Sequence, residues 1–231
     1  MQRETTPQGT WTLLGKIAEG SGTELWLIEQ DQKRCVLKIA SPSTQRKEQV
    51  QKRLRHEAMI LQLVRSRLSS TPTPSSLVSW LRSGGGEGGF FSIFQLIDGP
   101  NLATAMRLYG HPSKTLPPLV ASSIVAAVQD ALSLLHNIGI VHGDVVARNI
   151  VLSRTGEVRL VDFDAALSST DVGIDKSAMQ TLIQQLLPVQ PLRFCASAVA
   201  DFVVSLGVPS LQAPSESDHP NYSIPSHPLR G

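Results

Sequence analysis

Residues 120–162 carry in order a helical apolar stripe, an eight-residue loop with an acid, a basic residue and an amide, and a β-hairpin. Val120, Ile124, Val128, Leu132 and Leu135 recur at steps of three and four, which places them on one helix face. Pro117 and Pro118 suit the first turn of that helix, and Gly139 suits a left-handed cap past its end. The loop HGDVVARN (142–149) follows. Ile150–Leu152 and Val158–Val161 are short β-prone runs around SRTGE, a hairpin pattern. A hairpin brings its open ends together, so Asn149, just before the first strand, is expected beside Asp162, just after the second. Asp144 lies in the loop entering the same end.

Two oxygen-bearing side chains at such an end suit Mg²⁺, a hard ion that takes a few protein oxygens together with phosphate oxygens. A neighbouring carboxylate can orient an attacking hydroxyl and accept its proton. Taken alone, the same residues also read as solvated turn acids and a strand-end cap, because short acid-containing loops are common.

The first part of the chain is strand-rich. Leu13–Ile17, Glu24–Glu29 and Arg34–Ala40 are β-prone runs separated by GSG and DQK turn signals, as consecutive antiparallel strands require. From Glu48 to Val64 the residues Val50, Leu54, Ala58, Leu61 and Val64 share a helix face. Segments 69–76 and 83–89, rich in Ser, Thr, Pro and Gly, read as loops around a candidate strand near Val78–Leu81. Phe90–Ile97 reads as a further strand, ended by Gly99 and Pro100. Past the hairpin, Asp175–Leu187 and Ala196–Leu206 carry apolar stripes expected to be helical, and the Ser-, Pro- and His-rich end reads as a mobile tail.

Bulk properties narrow the class. A net charge of +2 with 17% charged residues gives no argument for nucleic acid or an anionic membrane as partner. Cys35 and Cys195 make neither a disulfide framework nor a metal cluster, which fits a reducing compartment. The polar start lacks the apolar core of a signal peptide. The stretch Val120–Leu135, interrupted by Gln129 and Asp130, reads as too short and too polar to span a bilayer. The expectation is a cytoplasmic or nuclear protein without membrane association.

The pattern resembles the protein-kinase-like fold over residues 11–187. HGDVVARN is similar to the catalytic loop H-x-D-x-x-x-x-N, which implies Asp144 as base and Asn149 as Mg²⁺ ligand. VDFD (161–164) resembles the D-F-G segment, with Asp162 as the main Mg²⁺ ligand. CVLKIA (35–40) resembles the strand bearing the phosphate-pairing lysine, Lys38, and RHEAMIL (55–61) the helix whose glutamate, Glu57, pairs with it. FQLIDGPNL (94–102) resembles the hinge, with Phe94 as gatekeeper and the backbone of Gln95 and Ile97 facing adenine. The resemblance also implies Leu25, Val36 and Val151 around the adenine, and Leu61, Phe163 and His142 as stacked core residues. The implied architecture is α+β and bilobal: a flexible start (1–10), a β-rich N-lobe (11–97), a truncated helical C-lobe (98–208) and a tail (209–231). The implied ligands are ATP and Mg²⁺.

Local physics supports several of these positions. Val36, Lys38 and Ala40 share one face of their strand. Glu57 falls on the buried stripe of its helix, where a carboxylate needs a cation such as Lys38. His142 reads as a satisfied core histidine and not a base. The glycine loop departs from G-x-G-x-x-G, whose spacing falls on Ala18, Gly20 and Thr23. Only Gly20 fits, although Ser21 and Gly22 leave backbone N–H groups suited to a phosphate, and a plain hairpin turn explains the glycines as well.

Other departures indicate the kind of kinase. Gly143 stands where loop-regulated protein kinases carry arginine. Val146 replaces the catalytic-loop lysine, with Arg148 able to supply a cation as in tyrosine kinases. Asp164 replaces the glycine of D-F-G. HGD is similar to RIO kinases, to the small kinase subunit of the KEOPS complex, and to aminoglycoside and choline phosphotransferases. No A-P-E segment is present in the sequence. The implied function is an atypical Ser/Thr protein kinase or kinase-fold ATPase working with a protein partner. The alternatives are a pseudokinase scaffold and a small-molecule kinase.

Overall fold

The computed structural model describes residues 11–20, 22–30, 32–68, 76–86, 89–110, 112–113, 115–186 and 195–211. The expected flexible start, the loop residues 69–75, Leu187 and residues 212–231 of the expected tail lie outside these. The chain divides into two compact units. The first holds the described residues up to Ala58 together with Trp80–Leu96, and the second holds Met59–Ser79 and the described residues from Ile97 onward. The fold is α+β, with a five-stranded sheet in the first unit and mainly helices in the second.

The first unit is an antiparallel sheet of β1 (Thr12–Gly20), β2 (Thr23–Gln30), β3 (Lys33–Ala40), β4 (Trp80–Gly86) and β5 (Gly89–Gln95) in the order β1-β2-β3-β5-β4. Strand alternation sorts its residues. Ile28, Cys35, Leu37 and Ile93 are buried together on one face, with Trp11, Leu13, Trp26, Ile39 and Phe91 packed around them. The opposite face carries Val36, Lys38 and Ala40. There Ala40 packs on Val50 and Leu54 of helix α1 (Lys47–Arg67), so the helix stripe read from sequence covers the face that presents Lys38.

Two expectations fail in this sheet. Segment 83–89, expected as a loop, supplies the end of β4 and the start of β5. Gly84 pairs with Phe91, and a Cβ on Gly84 would lie 2.8 Å from Cζ of that ring. The glycine therefore makes room for an aromatic neighbour across the strands instead of breaking them. The candidate strand near Val78–Leu81 is split. Leu77 bridges to Leu160, and the Val78 amide donates to the Leu160 carbonyl, so this pair extends the hairpin of the second unit while only Trp80 and Leu81 enter the sheet.

The second unit is built on helix α3 (Pro118–Asn137), which packs against α4 (Gly173–Leu186), α5 (Ala196–Ser205), the short strand β6 (Ile140–Val141) and β8 (Val158–Leu160). Helix α3 keeps the limits read from Pro117, Pro118 and Gly139, the last at φ +68°. With a mean hydropathy of 1.6 over 18 residues, it is long and apolar enough to cross a membrane by length and composition, which corrects the reading as too short and too polar. Here 61% of that stretch is buried within the protein, and Gln129 and Asp130 lie on its exposed strip. Neighbours on several sides account for so apolar a helix.

Helix α2 (Leu102–Tyr109) was not anticipated. Asn101 caps it, its side-chain oxygen accepting from the Thr104 amide at 2.9 Å, and Gly110 ends it at φ 94°. Strand β7 (Ile150–Leu152) pairs with β8 in the expected hairpin, and β6 pairs with β9 (Leu167–Ser168). The hairpin turn touches the start of α5. Gly156 has φ +88°, and a Cβ there would lie 2.0 Å from the Ala196 carbonyl oxygen. Replacement by alanine adds left-handed strain to a backbone clash, so Gly156→Ala should cost at least about 2 kcal/mol in equilibrium urea unfolding. An unchanged midpoint would mean that α5 does not rest on this turn.

Candidate functional site

The sheet half of the site centres on Lys38. Its Nζ lies 2.9 Å from Glu57 Oε2 and 3.1 Å from Oε1. Glu57 is 1% exposed, the consequence of its place between Leu54 and Leu61 on the buried stripe of α1. Removing one partner of such a pair strands a buried charge at a cost of about 3–5 kcal/mol, whereas an apolar pair would be no less stable. The ion pair therefore needs a reason other than stability.

Around Lys38 the register gathers the predicted adenine neighbours of this unit. Leu25 pairs with Lys38, and Phe94 pairs with Val36, on the same sheet face. Leu25 and Val36 are half-buried, Phe94 is buried, and Gln95 is exposed at the end of β5. Gly20 ends β1, while Ser21 lies outside the described residues. Gly22 has φ +83°, and a Cβ there would lie 2.9 Å from Val50 Cγ2, so the turn needs glycine at this point for the fold itself.

The helical unit carries the loop and hairpin residues. The predicted meeting of Asn149 and Asp162 is present: the Val161 amide donates to the Asn149 carbonyl at 2.9 Å, which sets Asp162 one residue beyond the last ladder bond. A single 3-10 turn, Ala147–Asn149, reverses the chain so that the Asn149 side chain faces back to Asp144. Asn149 Nδ2 donates to Asp144 Oδ2 at 2.9 Å and to the Asp144 carbonyl at 3.0 Å, and Arg148 donates to the same Oδ2 at 2.7 Å. With its nitrogen committed to Asp144, the Asn149 amide leaves its oxygen as the atom that could bind a metal.

Asn149 Oδ1 and the Asp162 carboxylate fit Mg²⁺, which takes one or two protein oxygens beside phosphate. Among the described residues no group of three or more His, Cys, Asp or Glu side chains forms an alternative metal cluster. Asp162 stands in the left-handed region at φ +66°, whereas Asp164, in place of the D-F-G glycine, is not among the positive-φ residues. A left-handed non-glycine residue at the proposed ligand position is the kind of local cost found at functional sites. Val151 is half-buried in β7, and Ile97 is half-buried at the start of this unit.

Asp175, in the first turn of α4, was missed as a site residue. It is fully buried. Its Oδ2 accepts from the His142 amide at 2.9 Å and lies 2.8 Å from His136 Nε2, while its Oδ1 accepts from the Gly143 amide at 2.9 Å. The carboxylate thus holds the backbone of the loop just before Asp144. A signal for it exists: Asp175, Met179, Leu182 and Leu186 form one buried helical stripe, the same clue that exposed Glu57. Gly143 has φ +79°, and a Cβ there would lie 2.6 Å from the Ala165 carbonyl oxygen, so arginine does not fit this backbone.

His142 is buried and stacks edge-on against Phe163, with ring centroids 4.8 Å apart. Leu61, the third expected member of the stack, is also buried. His142 Nε2 donates to the Val161 carbonyl at 3.1 Å, and Nδ1 accepts from the Asp144 amide at 3.3 Å, which requires the neutral Nε2–H tautomer. Burial lowers its pKa below the ordinary 6.5, and nearby Asp175 only partly offsets this. Below that pH the unfolded chain binds a proton that the folded chain refuses. Stability should therefore fall with decreasing pH, by up to about 1.4 kcal/mol per unit from this group. Urea unfolding between about pH 7.5 and 5 should show this slope reduced by one proton in His142→Phe; identical slopes would refute a buried neutral histidine.

Comparison with known proteins adds the family. Residues 11–183 match the model of the protein kinase domain. The chain is 28% identical over 193 residues to serine/threonine-protein kinase PknD of Mycobacterium tuberculosis, covering 83% of this chain and 27% of that protein. It is 22% identical over 200 residues to serine/threonine-protein kinases drp72 of Corynebacterium efficiens, covering 86% and 37%. It therefore spans between about a quarter and two fifths of the length of these relatives. The solved structure of vaccinia related kinase 3 superposes with a TM-score of 0.59 at 16% identity, over 87% of this chain and 73% of that one, which is a likeness of fold. With three quarters of its length matched by the family model, the chain belongs to the protein kinase domain family.

Proposed function

We propose that this chain binds Mg·ATP and transfers the γ-phosphoryl group to a serine or threonine hydroxyl of a protein, working as an atypical kinase with a protein partner. The observation that carries the reading is the hairpin end, where the Asn149 side chain bonds to Asp144 and the Asn149 backbone bonds to Val161, the residue before Asp162; we assign Asp144 as the base and Asn149 and Asp162 as the metal ligands. The names of the relatives, serine/threonine-protein kinases, support the acceptor class. Their greater length leaves the partner and the whole activity as proposals.

In this reading Lys38, oriented by Glu57, holds the nucleotide phosphates. The adenine contacts assigned to the sheet unit are Leu25, Val36, Phe94 and the Gln95 backbone, and those assigned to the helical unit are Val151 and the Ile97 backbone. Asn149 and Asp162 hold the magnesium ion, which when bound neutralises charge on the phosphates. Asp144 orients the acceptor hydroxyl and takes its proton. Arg148, 64% exposed and already bonded to Asp144, offers its remaining N–H groups to the transferred phosphoryl. Gly143 leaves no arginine with which to read a phosphorylated loop, so the site is built without that form of control.

A second reading, a nucleotide-binding scaffold, is favoured by one observation: Asp144 Oδ2 is already engaged by both Arg148 and Asn149, as a purely structural clamp would be. Turnover separates the two. Asp162→Ala should lower Mg²⁺-dependent transfer or release of labelled γ-phosphate by about 10²-fold or more. Asp144→Asn should cut turnover about 10²–10⁴-fold while nucleotide affinity, followed by calorimetry, stays near wild type. A wild-type chain that binds nucleotide yet turns none over, alone and with its partner, would select the scaffold.

A further inference from the structure

The segment after α5 does not leave the protein directly. Gly207, at φ +65°, turns the chain, and residues 208–211 then run along the loop that begins at Ile97. Asp98 anchors them. Its Oδ2 accepts from Ser210 Oγ at 2.6 Å, and its Oδ1 accepts from the Leu211 amide at 3.0 Å. Arg154, from the β7–β8 turn, donates to the Val208 carbonyl, and its Nε lies 3.6 Å from Asp98 Oδ2.

The other side of the same loop is held as closely. The Arg154 amide donates to the Asp98 carbonyl and the Leu152 amide to the Pro100 carbonyl, each at 2.9 Å. Asn101 bridges to Val151. Gly99 sits so near β7 that a Cβ would lie 1.9 Å from the Leu152 carbonyl oxygen. Residues 98–101 are thus clamped between a hairpin that is part of the fold and a strap fixed mainly by one carboxylate.

We propose that Asp98, latched to residues 208–211, is a positioning residue that fixes the loop carrying Ile97 and thereby sets the affinity for nucleotide. This rests on the ATP-binding reading above. A surface carboxylate has little cause to take two donors from a distant segment only to tidy a chain end, because each exposed bond adds modestly to stability. Holding the loop that presents backbone groups to a ligand is a better use, since ordering done before binding does not weaken it.

The test uses the full chain with Asp98→Ala, Ser210→Ala, Arg154→Met and the Asp98→Ala/Ser210→Ala double variant. Hydrogen exchange is followed at the amides of 97–99, 101 and 211, ATP binding by calorimetry, and turnover by steady-state kinetics. Ser210→Ala and Arg154→Met should each speed exchange at 97–99 and 101 and raise the Kd and KM for ATP about fivefold, the size of one lost hydrogen bond, and Asp98→Ala, which loses two, should raise them further, while kcat holds. The double variant should be no worse than Asp98→Ala, because both break one latch. Ser210→Ala leaves the backbone bond of Leu211 intact, so it remains informative if Asp98→Ala folds poorly. Faster exchange at 211 with unchanged exchange at 97–99 and 101 and unchanged Kd would overturn the proposal and leave a mere tether. A wild-type chain that binds no ATP would overturn the nucleotide reading, and the affinity role with it, while exchange at 97–99 and 101 would still show whether the latch holds the loop.

Discussion

A single buried carboxylate, Asp175, fixes the backbone from which the helical half of the site is built. It accepts from two consecutive loop amides and meets the His136 imidazole, so the fully buried carboxylate has three polar partners. An anion buried there with fewer partners would be costly, and the loop amides without it would be buried donors with no acceptor. The two requirements satisfy each other along the backbone path seen here. That path places Gly143 in the left-handed region against the Ala165 carbonyl and delivers Asp144 to the hairpin end.

From this anchor the other contacts follow in order. His142, held neutral, accepts one bond from the Asp144 amide and donates another to the Val161 carbonyl, joining the loop to the end of β8. Val161 in turn bonds to Asn149, and Asn149 returns to Asp144. These bonds link Asp175, His142, Asp144, Asn149 and Val161 into one connected network, an arrangement that favours a rigid loop. In the sheet unit the comparable economy is smaller. There Lys38 and Glu57 satisfy one another, and the packing of Ala40 on Val50 and Leu54 holds the helix against the strand.

Where sequence reading failed, the cause was a neighbour distant along the chain. Gly84 looks like a loop residue until Phe91 is placed across from it. Leu77 and Val78 look like the start of a strand in the sheet until Leu160 claims them for the hairpin. Gln129 and Asp130 looked like interruptions of an apolar helix, yet they fall on its exposed strip. Helix α2 is short, and its strongest signals, the Asn101 cap and Gly110, were available but lay beside a stretch read for its hinge residues. Asp175 carried the same stripe signal as Glu57, but no cation in the sequence offered itself as partner, because its donors are mostly backbone amides.

The sequence by itself determined the elements whose signals are local: the alternation of β1, β2 and β3, the stripes of α1 and α3, and the hairpin that must bring Asn149 to Asp162. These depend on periods of two and 3.6 residues and on turns of a few residues, so neighbours in sequence carry the information. The tertiary structure alone decided which groups satisfy the buried polar atoms. The Asp175 contacts and the latch of Asp98 to Ser210 and Leu211 join residues separated by 32 to 113 positions. Hydrogen bonds of that kind are fixed by where packing leaves an unpaired donor or acceptor, and nothing in the local sequence records it.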